Sequence, residues 1–533
     1  MNVEKEWGDA KWIWFHNNGI DNVNLIANIR KTFDIPFKPE SVLIKITADY
    51  AYRLYVNGHF VLRGPARGYQ HSWPYDEIDL AIFLKKGKNV IAVEVYSLGV
   101  STFRYVHQAY SGFLMAGKCR NICFDTDNTW KMRRMPGQKR RTARTSYQQS
   151  FQEHIDMNQY DDEWIDVEYD DSSWEKACIT AHLYGMPWSG MEPRGIPHLN
   201  VKRGLPKSLI SFAKGKCANG WEEVEDVVTL YAGENKTFVE SAEKLTKRKE
   251  FTLFTIKASG KDSFHAEVID FGNEVVGTLV LRVENAKGGE IVDLIVTESL
   301  TDLTPDIRKT SHTGCSMAFG NRIILREGFN ERNFFEPFGF RYAVAVTRGN
   351  TSNLKIGIAV DTTYYPLERI GAFSCSDFLV NKLYEISVHT QQCCMMDAYL
   401  DCPWREQAQW WGDARVQAKN TFYISGDTRL LERGIRSISG MRTNNGLTYG
   451  HAPTMAHNCI LPDFTLTWIH SFHDLWWQTG SSSLFAELAD RVFEALAYFE
   501  NSLDKNGLLP YDRRYWLFLD WCEFHKEGVN TLY

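Results

Sequence analysis

Over the first two-thirds of the chain, apolar and polar positions alternate in short runs, the period-2 pattern of strands half-buried in a sheet. Residues 41–48 (SVLIKITA) alternate in this way, and residues 52–57 (YRLYVN) run into an Asn57-Gly58 turn. Asn-Gly tolerates the positive φ of a tight hairpin, so this pair predicts one. Residues 89–96 (NVIAVEVY) follow a turn at Gly87, residues 277–283 (GTLVLRV) and 290–297 (EIVDLIVT) flank Gly288-Gly289, and residues 338–347 (FGFRYAVAVT) add another strand. These runs predict a β-sandwich with long decorated loops over 1–205 and a second β-sandwich over 206–368.

After about residue 370 the period changes. Ser376-Asp377 offers a helix cap ahead of Leu379, Leu383 and Ile386, an i, i+4, i+7 apolar stripe. Residues 414–423, 429–441, 461–478 and 483–503 also read as helices with short connections. Serial helix pairs after two β-sandwiches predict an α/α toroid of hairpins beginning at 369, and no sequence repeat marks a solenoid. From Ser376 to Tyr533 there are 158 residues, room for about half a dozen helices at ordinary lengths. A closed toroid of twelve needs about twice that, and residues 529–533 read as the opening of another amphipathic helix. The expectation is an N-terminal part of an (α/α)6 barrel over 369–533 with its second half missing, hence a truncated chain. Half a toroid would expose apolar helix faces, which calls for a homo-oligomer or a complementary C-terminal chain.

Composition narrows the class. With 44% hydrophobic and 24% charged residues the chain is globular. Its net charge of −6 gives no nucleic-acid footprint. No apolar run reaches membrane-spanning length, and the acidic start MNVEKEWGDA lacks a signal-peptide pattern, so a cytoplasmic protein is expected. The eleven cysteines are odd in number and scattered, with no Cys-x-x-Cys pair. His451 and His457 are separated by Pro453 and read as core or surface histidines. No metal and no cofactor is expected. The basic stretch 131–144 reads as a solvated loop. Seventeen tryptophans make a carbohydrate ligand worth weighing, since indole faces stack on sugar rings, although core filling accounts for such residues equally well.

Residues 401–413 (DCPWREQAQWWGD) concentrate the chemistry: carboxylates, an arginine and three tryptophans, bracketed by Pro403 and Gly412. Buried carboxylates and exposed indoles both cost stability unless they face partners. A sugar site uses all three types. Carboxylates accept from ring hydroxyls, arginine donates a planar fork, and tryptophan supplies a stacking floor. A glycosidase also needs one carboxyl group protonated near neutral pH to protonate the leaving oxygen. A capped helix start with surface ion pairs is the plainer alternative.

The stretch resembles the signature of bacterial α-L-rhamnosidases of glycoside hydrolase family 78, Asp-Cys-Pro-x-Arg-Glu, three residues, then Trp-x-Gly-Asp. The resemblance extends along the chain. Residues 48–65 (ADYAYRLYVNGHFVLRGP), 270–274 (DFGNE) and 338–342 (FGFRY) are similar to the family's β-domains. Residues 373–377 (FSCSD) and 515–521 (YWLFLDW) are similar to the barrel entry and a later barrel loop. It implies two β-sandwich domains ahead of an (α/α)6 barrel and an inverting glycosidase that releases terminal α-L-rhamnose from glycosides or polysaccharides. Glu406 would be the general acid. Asp401, Arg405, Trp410 and Asp413 would bind the sugar, together with Trp516 and Asp520 from the later loop. Taken without the resemblance, Asp520 could equally be a helix-end charge. Many relatives carry an extra acidic residue that moves the glutamate one place on; here Gln407 stands next, leaving Glu406 alone. The family's general base lies in the second half of the barrel, and Asp397, Asp463 and Glu523 have no matching context for it. The alternative expectation is an inactive, truncated carbohydrate-binding remnant.

Overall fold

The computed structural model describes residues 7–16, 19–248, 250–307, 317–455, 459–516 and 518. Two sheets form the first unit. One runs in the order Cys178–Ala181, Trp12–Trp14, Phe113–Cys119, Leu43–Ala48, Trp73–Asp79, Met191–Pro193. The other runs Glu175–Lys176, Lys131–Arg134, Leu25–Ile35, Gly87–Ser97, Ala51–Val56, His59–Gly64. Their inward alternating positions, including Ile29, Ile44, Ile46, Leu54, Val93, Val95 and Met115, make one apolar core. The predicted hairpin is present: Ala51–Val56 pairs with His59–Gly64, with φ of 53° at Asn57 and 82° at Gly58.

The basic stretch is not a solvated loop. Residues 131–134 are a strand paired with Leu25–Ile35, and the cations meet acids: Lys131 with Asp171, Arg133 with Asp161, Arg134 and Arg140 with Asp21. Sequence proximity hid these partners, which come from other segments.

The second unit is built on a 12-stranded sheet whose spine is Ser263–Ala286 against Gly328–Arg348. The register of this pair slips between Asp270 and Val275. Before the slip the first strand pairs with Ser208–Lys216, and after it with Thr351–Thr362. A bulge of this kind re-aims a strand between two sets of neighbours. Gln138–Lys139 and His154–Asp156, from the N-terminal third of the chain, join this same sheet beside Gly320–Ile324. Helix α1 (Val227–Gly233), capped by Asp226, packs over its edge.

The helical unit comprises α2 (Phe378–Cys393), α3 (Trp411–Ile424), α4 (Arg429–Ser439), α5 (Pro462–Thr479) and α6 (Ser483–Ser502). Asp377 caps α2 as expected, accepting from the Leu379 and Val380 N–H groups. The core of α3, α4 and α5 is keyed by tryptophans: the Trp411 indole donates to Ser471 at 3.0 Å and that of Trp468 to the Ile435 carbonyl at 3.0 Å. The α2 stripe is the exception, with Leu379, Leu383 and Ile386 exposed by 60, 53 and 51%. No helix among the described residues is long and apolar enough to cross a membrane. Residues 529–533 lie outside the described residues.

Candidate active site

Residues 401–410 form a closed loop between the end of α2's connection and the start of α3. The Asp401 N–H donates to the Ala408 carbonyl at 2.9 Å, and the Ala408 N–H returns a bond to Asp401 Oδ1 at 2.9 Å. Pro403 excludes a helix here, and Gln407 takes a left-handed φ of 54°, a strained conformation for a side chain of its size. The strain is held by bonds from all sides. Gln407 Nε2 donates to the carbonyls of Pro337 (3.0 Å) and Pro403 (2.8 Å), its Oε1 accepts from Arg104 at 2.8 Å, and its carbonyl accepts from Arg67 at 2.9 Å.

Both β-rich units therefore grip this loop. Arg104 also bonds the Tyr50 hydroxyl and pairs with Glu336. Arg67 is braced by Asp397 at 2.8 Å; burial raises the Asp397 carboxyl, but the charge and hydrogen bonds of Arg67 outweigh it and hold Asp397 well below the ordinary carboxylate range. Gln149 donates to the Trp404 carbonyl at 2.6 Å, and the Gly339 N–H to that of Pro403 at 2.9 Å. At Gly339 a Cβ would stand 2.4 Å from the Pro403 Cβ, so only glycine admits the loop at this strand. Trp404 is buried against Phe319, with ring centroids 5.2 Å apart.

On this frame Glu406 uses both carboxylate oxygens: Arg405 pairs with Oε1 at 2.7 Å, and the Trp410 indole donates to Oε2 at 2.8 Å. Asp401 lines the cleft beside it, and burial together with the neighbouring Glu406 pushes its carboxyl well above the ordinary value, favouring its protonated form. Trp410 packs on His451 with centroids 4.4 Å apart; burial lowers His451 to about 3, so a neutral imidazole backs the indole.

Glu406 opens on a cleft of about 750 Å³ lined also by Asp401, Arg405, Trp410, Asp413, Trp516, Leu461, Asp463 and the rings of Phe464 and Phe518, a size ordinary for small-ligand sites. Asp413 enters from the first turn of α3. Gly412 lets α5 close in, since a Cβ there would meet the Phe464 ring at 2.5 Å. The structure thus brings together Asp401, Arg405, Glu406, Trp410, Asp413 and Trp516. Asp520, Trp521, Glu523 and His457 lie outside the described residues. Tryptophan count was a poor guide, because Trp7, Trp12, Trp14, Trp73, Trp130, Trp188, Trp411 and Trp468 are fully buried in cores. Sequence reasoning missed the braces Arg67, Arg104 and Gln149, which carry no local motif. It named Asp463 only to set it aside; its place at a helix start was the available signal. No group of three potential metal ligands occurs among the described residues.

Residues 368–531 match the family model described as the bacterial alpha-L-rhamnosidase 6 hairpin glycosidase domain. A curated alpha-L-rhamnosidase of Formosa agariphila is 29% identical over 164 residues, which cover 29% of this chain and 17% of that protein. The match therefore spans under a fifth of the curated relative's length. Among solved structures, the family 78 rhamnosidase of Bacillus sp. GL1 superposes with a TM-score of 0.84 at 22% identity, covering 96% of this chain and 71% of that one. The alpha-L-rhamnosidase of Aspergillus terreus gives 0.65 at 19% identity, covering 97% and 55%. The chain has the fold of the glycoside hydrolase family 78 rhamnosidases, and its residues 368–531 are similar to the six-hairpin glycosidase domain of the bacterial α-L-rhamnosidases.

Proposed function

We propose that the chain is an inverting α-L-rhamnosidase acting on terminal, non-reducing α-L-rhamnose of a glycoside or polysaccharide, with Glu406 as general acid. The observation that carries this reading is the placing of Glu406 between Arg405 and Trp410 on the wall of a cleft of about 750 Å³ that Asp401 and Asp413 also line. Trp410 and Trp516 offer ring faces to the sugar, and Arg405, Asp401 and Asp413 offer a donor and acceptors for its hydroxyls. Asp520 is assigned to the same sugar contacts on the strength of the resemblance. Glu406 delivers the proton to the leaving oxygen, beside an Asp401 carboxyl whose protonated form burial favours. Inversion requires a base about 6.5–9.5 Å from the acid, with water between; Asp397 is committed to Arg67 and is not that base. The exposed apolar residues of α2 support a partner surface, filled by a second copy or a complementary helical chain.

The test is hydrolysis of a poorly activated α-L-rhamnoside by the chain beside Glu406→Gln. General acid catalysis is worth about 10²–10⁴-fold, so the variant should lose at least two orders of magnitude in kcat and still bind rhamnose. Equal turnover by both would remove Glu406 from the acid role. Rhamnose binding without turnover in either favours the second reading, a carbohydrate-binding remnant.

A further inference from the structure

A second cleft, of about 580 Å³, lies where the first β-rich unit meets α4 and α6, and it shares no lining residue with the cleft of Glu406. Its walls are charged, and most of the charges are matched. Arg436 of α4 is held by Glu487 of α6, through Nε at 3.0 Å and Nη2 at 2.9 Å. Arg433 of α4 pairs with Glu192 of the β-unit at 3.6 Å. Arg67 and Arg429 also line the cleft, but they are committed to Asp397 and Asp427, neither of which does. Glu432 accepts from the Thr428 hydroxyl at 2.7 Å.

Arg491 of α6 is the exception. Its Nη1 donates to the carbonyl and hydroxyl of Ser439, at 2.6 and 3.1 Å. Its Nε and Nη2 bond no described residue and stay open to solvent. Glu487, one turn earlier on α6, is taken by Arg436. Elsewhere in this protein the same Nε–Nη2 edge grips a carboxylate side-on. Arg203 holds Asp361 in this way, Arg322 holds Asp293, and Arg415 holds Asp474. That edge presents two parallel N–H groups at the spacing of two oxygens of one oxyanion.

A second nitrogen donor stands nearby. His71 lines the cleft and stacks on Tyr69, with ring centroids 5.3 Å apart. Burial and the Arg491 charge pull its imidazole below the ordinary value, against the opposing pull of Glu192. Two groups that disfavour each other's charge both gain from an anion close to them. The volume suits a small organic ligand rather than a bare ion. Ser72 and the Arg436–Glu487 pair offer donors and acceptors to hydroxyl groups.

We propose that this cleft is a second binding site, for an oxyanion group, carboxylate or sulfate, carried on a sugar, with the Arg491 fork on the oxyanion and His71 as a further donor. It does not rest on the assignment of Glu406.

The experiment is calorimetric titration of the chain with D-glucuronate, sulfate and D-glucose at pH 7.5 and fixed ionic strength, beside Arg491→Met and His71→Phe. D-Glucuronate should bind saturably. A hydrogen bond to a charged group corresponds to about 10–150-fold in affinity, so Arg491→Met should weaken that binding by at least tenfold. His71→Phe keeps a ring on Tyr69 and removes the donor, so it should weaken binding by a smaller factor even where Arg491→Met does not fold. Wild-type affinity in Arg491→Met, or in His71→Phe should the first not fold, puts the anion elsewhere and overturns the proposal. D-Glucose bound as tightly as D-glucuronate overturns the oxyanion, and sulfate bound as tightly overturns the sugar. Absence of saturable binding by both D-glucuronate and sulfate overturns the site itself.

Discussion

The loop at 401–410 and helix α2 at 378–393 are chain neighbours with opposite fates. The loop has no regular structure, yet its side chains and carbonyls are tied to residues some 70 to 340 positions away, including Pro337, Gln149, Arg104 and Arg67. Helix α2 is regular and properly capped, yet its apolar stripe is exposed. Local order and tertiary rigidity are separate quantities. In the acid role proposed for Glu406 the loop needs the second, since misplacement of a reacting group by about 1 Å can cost about 10²-fold in rate. It gains that rigidity from the two β-rich units.

The comparison can be broken most severely at Arg104. Replacing it by Ala leaves Glu336 with only Tyr50 and the longer Arg63 contact and unties Gln407 in one step, and removing one partner of a buried pair costs about 3–5 kcal/mol. Denaturant unfolding should show that loss, and kcat should fall more than KM rises. An unchanged midpoint would mean the clamp is not energetic. Gly339→Ala presses on Pro403 from the other side. Overpacking of this kind costs about 1–3 kcal/mol, and because it displaces the acid loop it should lower kcat by at least tenfold, as steady-state kinetics would show.

A pH series sharpens the contrast further. Asp463 is lifted to about 6 in the folded chain, against an ordinary value near 3.9 when unfolded. Between those values the folded state holds the extra proton. Its contribution to stability is therefore full below about pH 4, falls as pH rises through 6, and is flat above, a loss on the order of 2 kcal/mol. Asp401 is shifted in the same direction and adds to the trend. The stability of the wild type relative to Asp463→Asn should show this decline in thermal unfolding from pH 4 to 8, the difference cancelling the opposite, rising contribution of the buried His451; a relative rise over the same range would contradict the burial assigned to Asp463. The smallest effect belongs to α2. Leu383→Lys should change stability by no more than about 0.5 kcal/mol, because the side chain is exposed, while reducing any self-association measured by sedimentation velocity. A large destabilisation would show that the stripe is covered within the folded chain.

The sequence carried the helix starts, the Asn57-Gly58 hairpin and the acid-bearing motif, because each depends on residues within a few positions of one another. Trp411 and Trp410 show where this runs out. They are adjacent and chemically identical, yet one donates to Ser471 in a core and the other to Glu406 at the cleft. A single residue step at the start of α3 separates those fates, and the packing of α5 decides it. The basic stretch 131–144 misled for a related reason: its acidic partners lie elsewhere in the chain, so only its charge was visible. Asp463 failed the test of motif context, and its place in the cleft wall exists only once Leu461, Phe464 and the 401–413 loop come together.

By itself, then, the sequence determined the order of strand-rich and helical regions and the glutamate, arginine and tryptophan that meet in one loop, since period and spacing are local properties of the chain. The tertiary structure alone decided which tryptophans line the cleft, which carboxyl groups are forced upward, and what holds Gln407 in its strained turn. Burial and long-range hydrogen bonds set those outcomes, and neither exists until distant segments have been packed against each other.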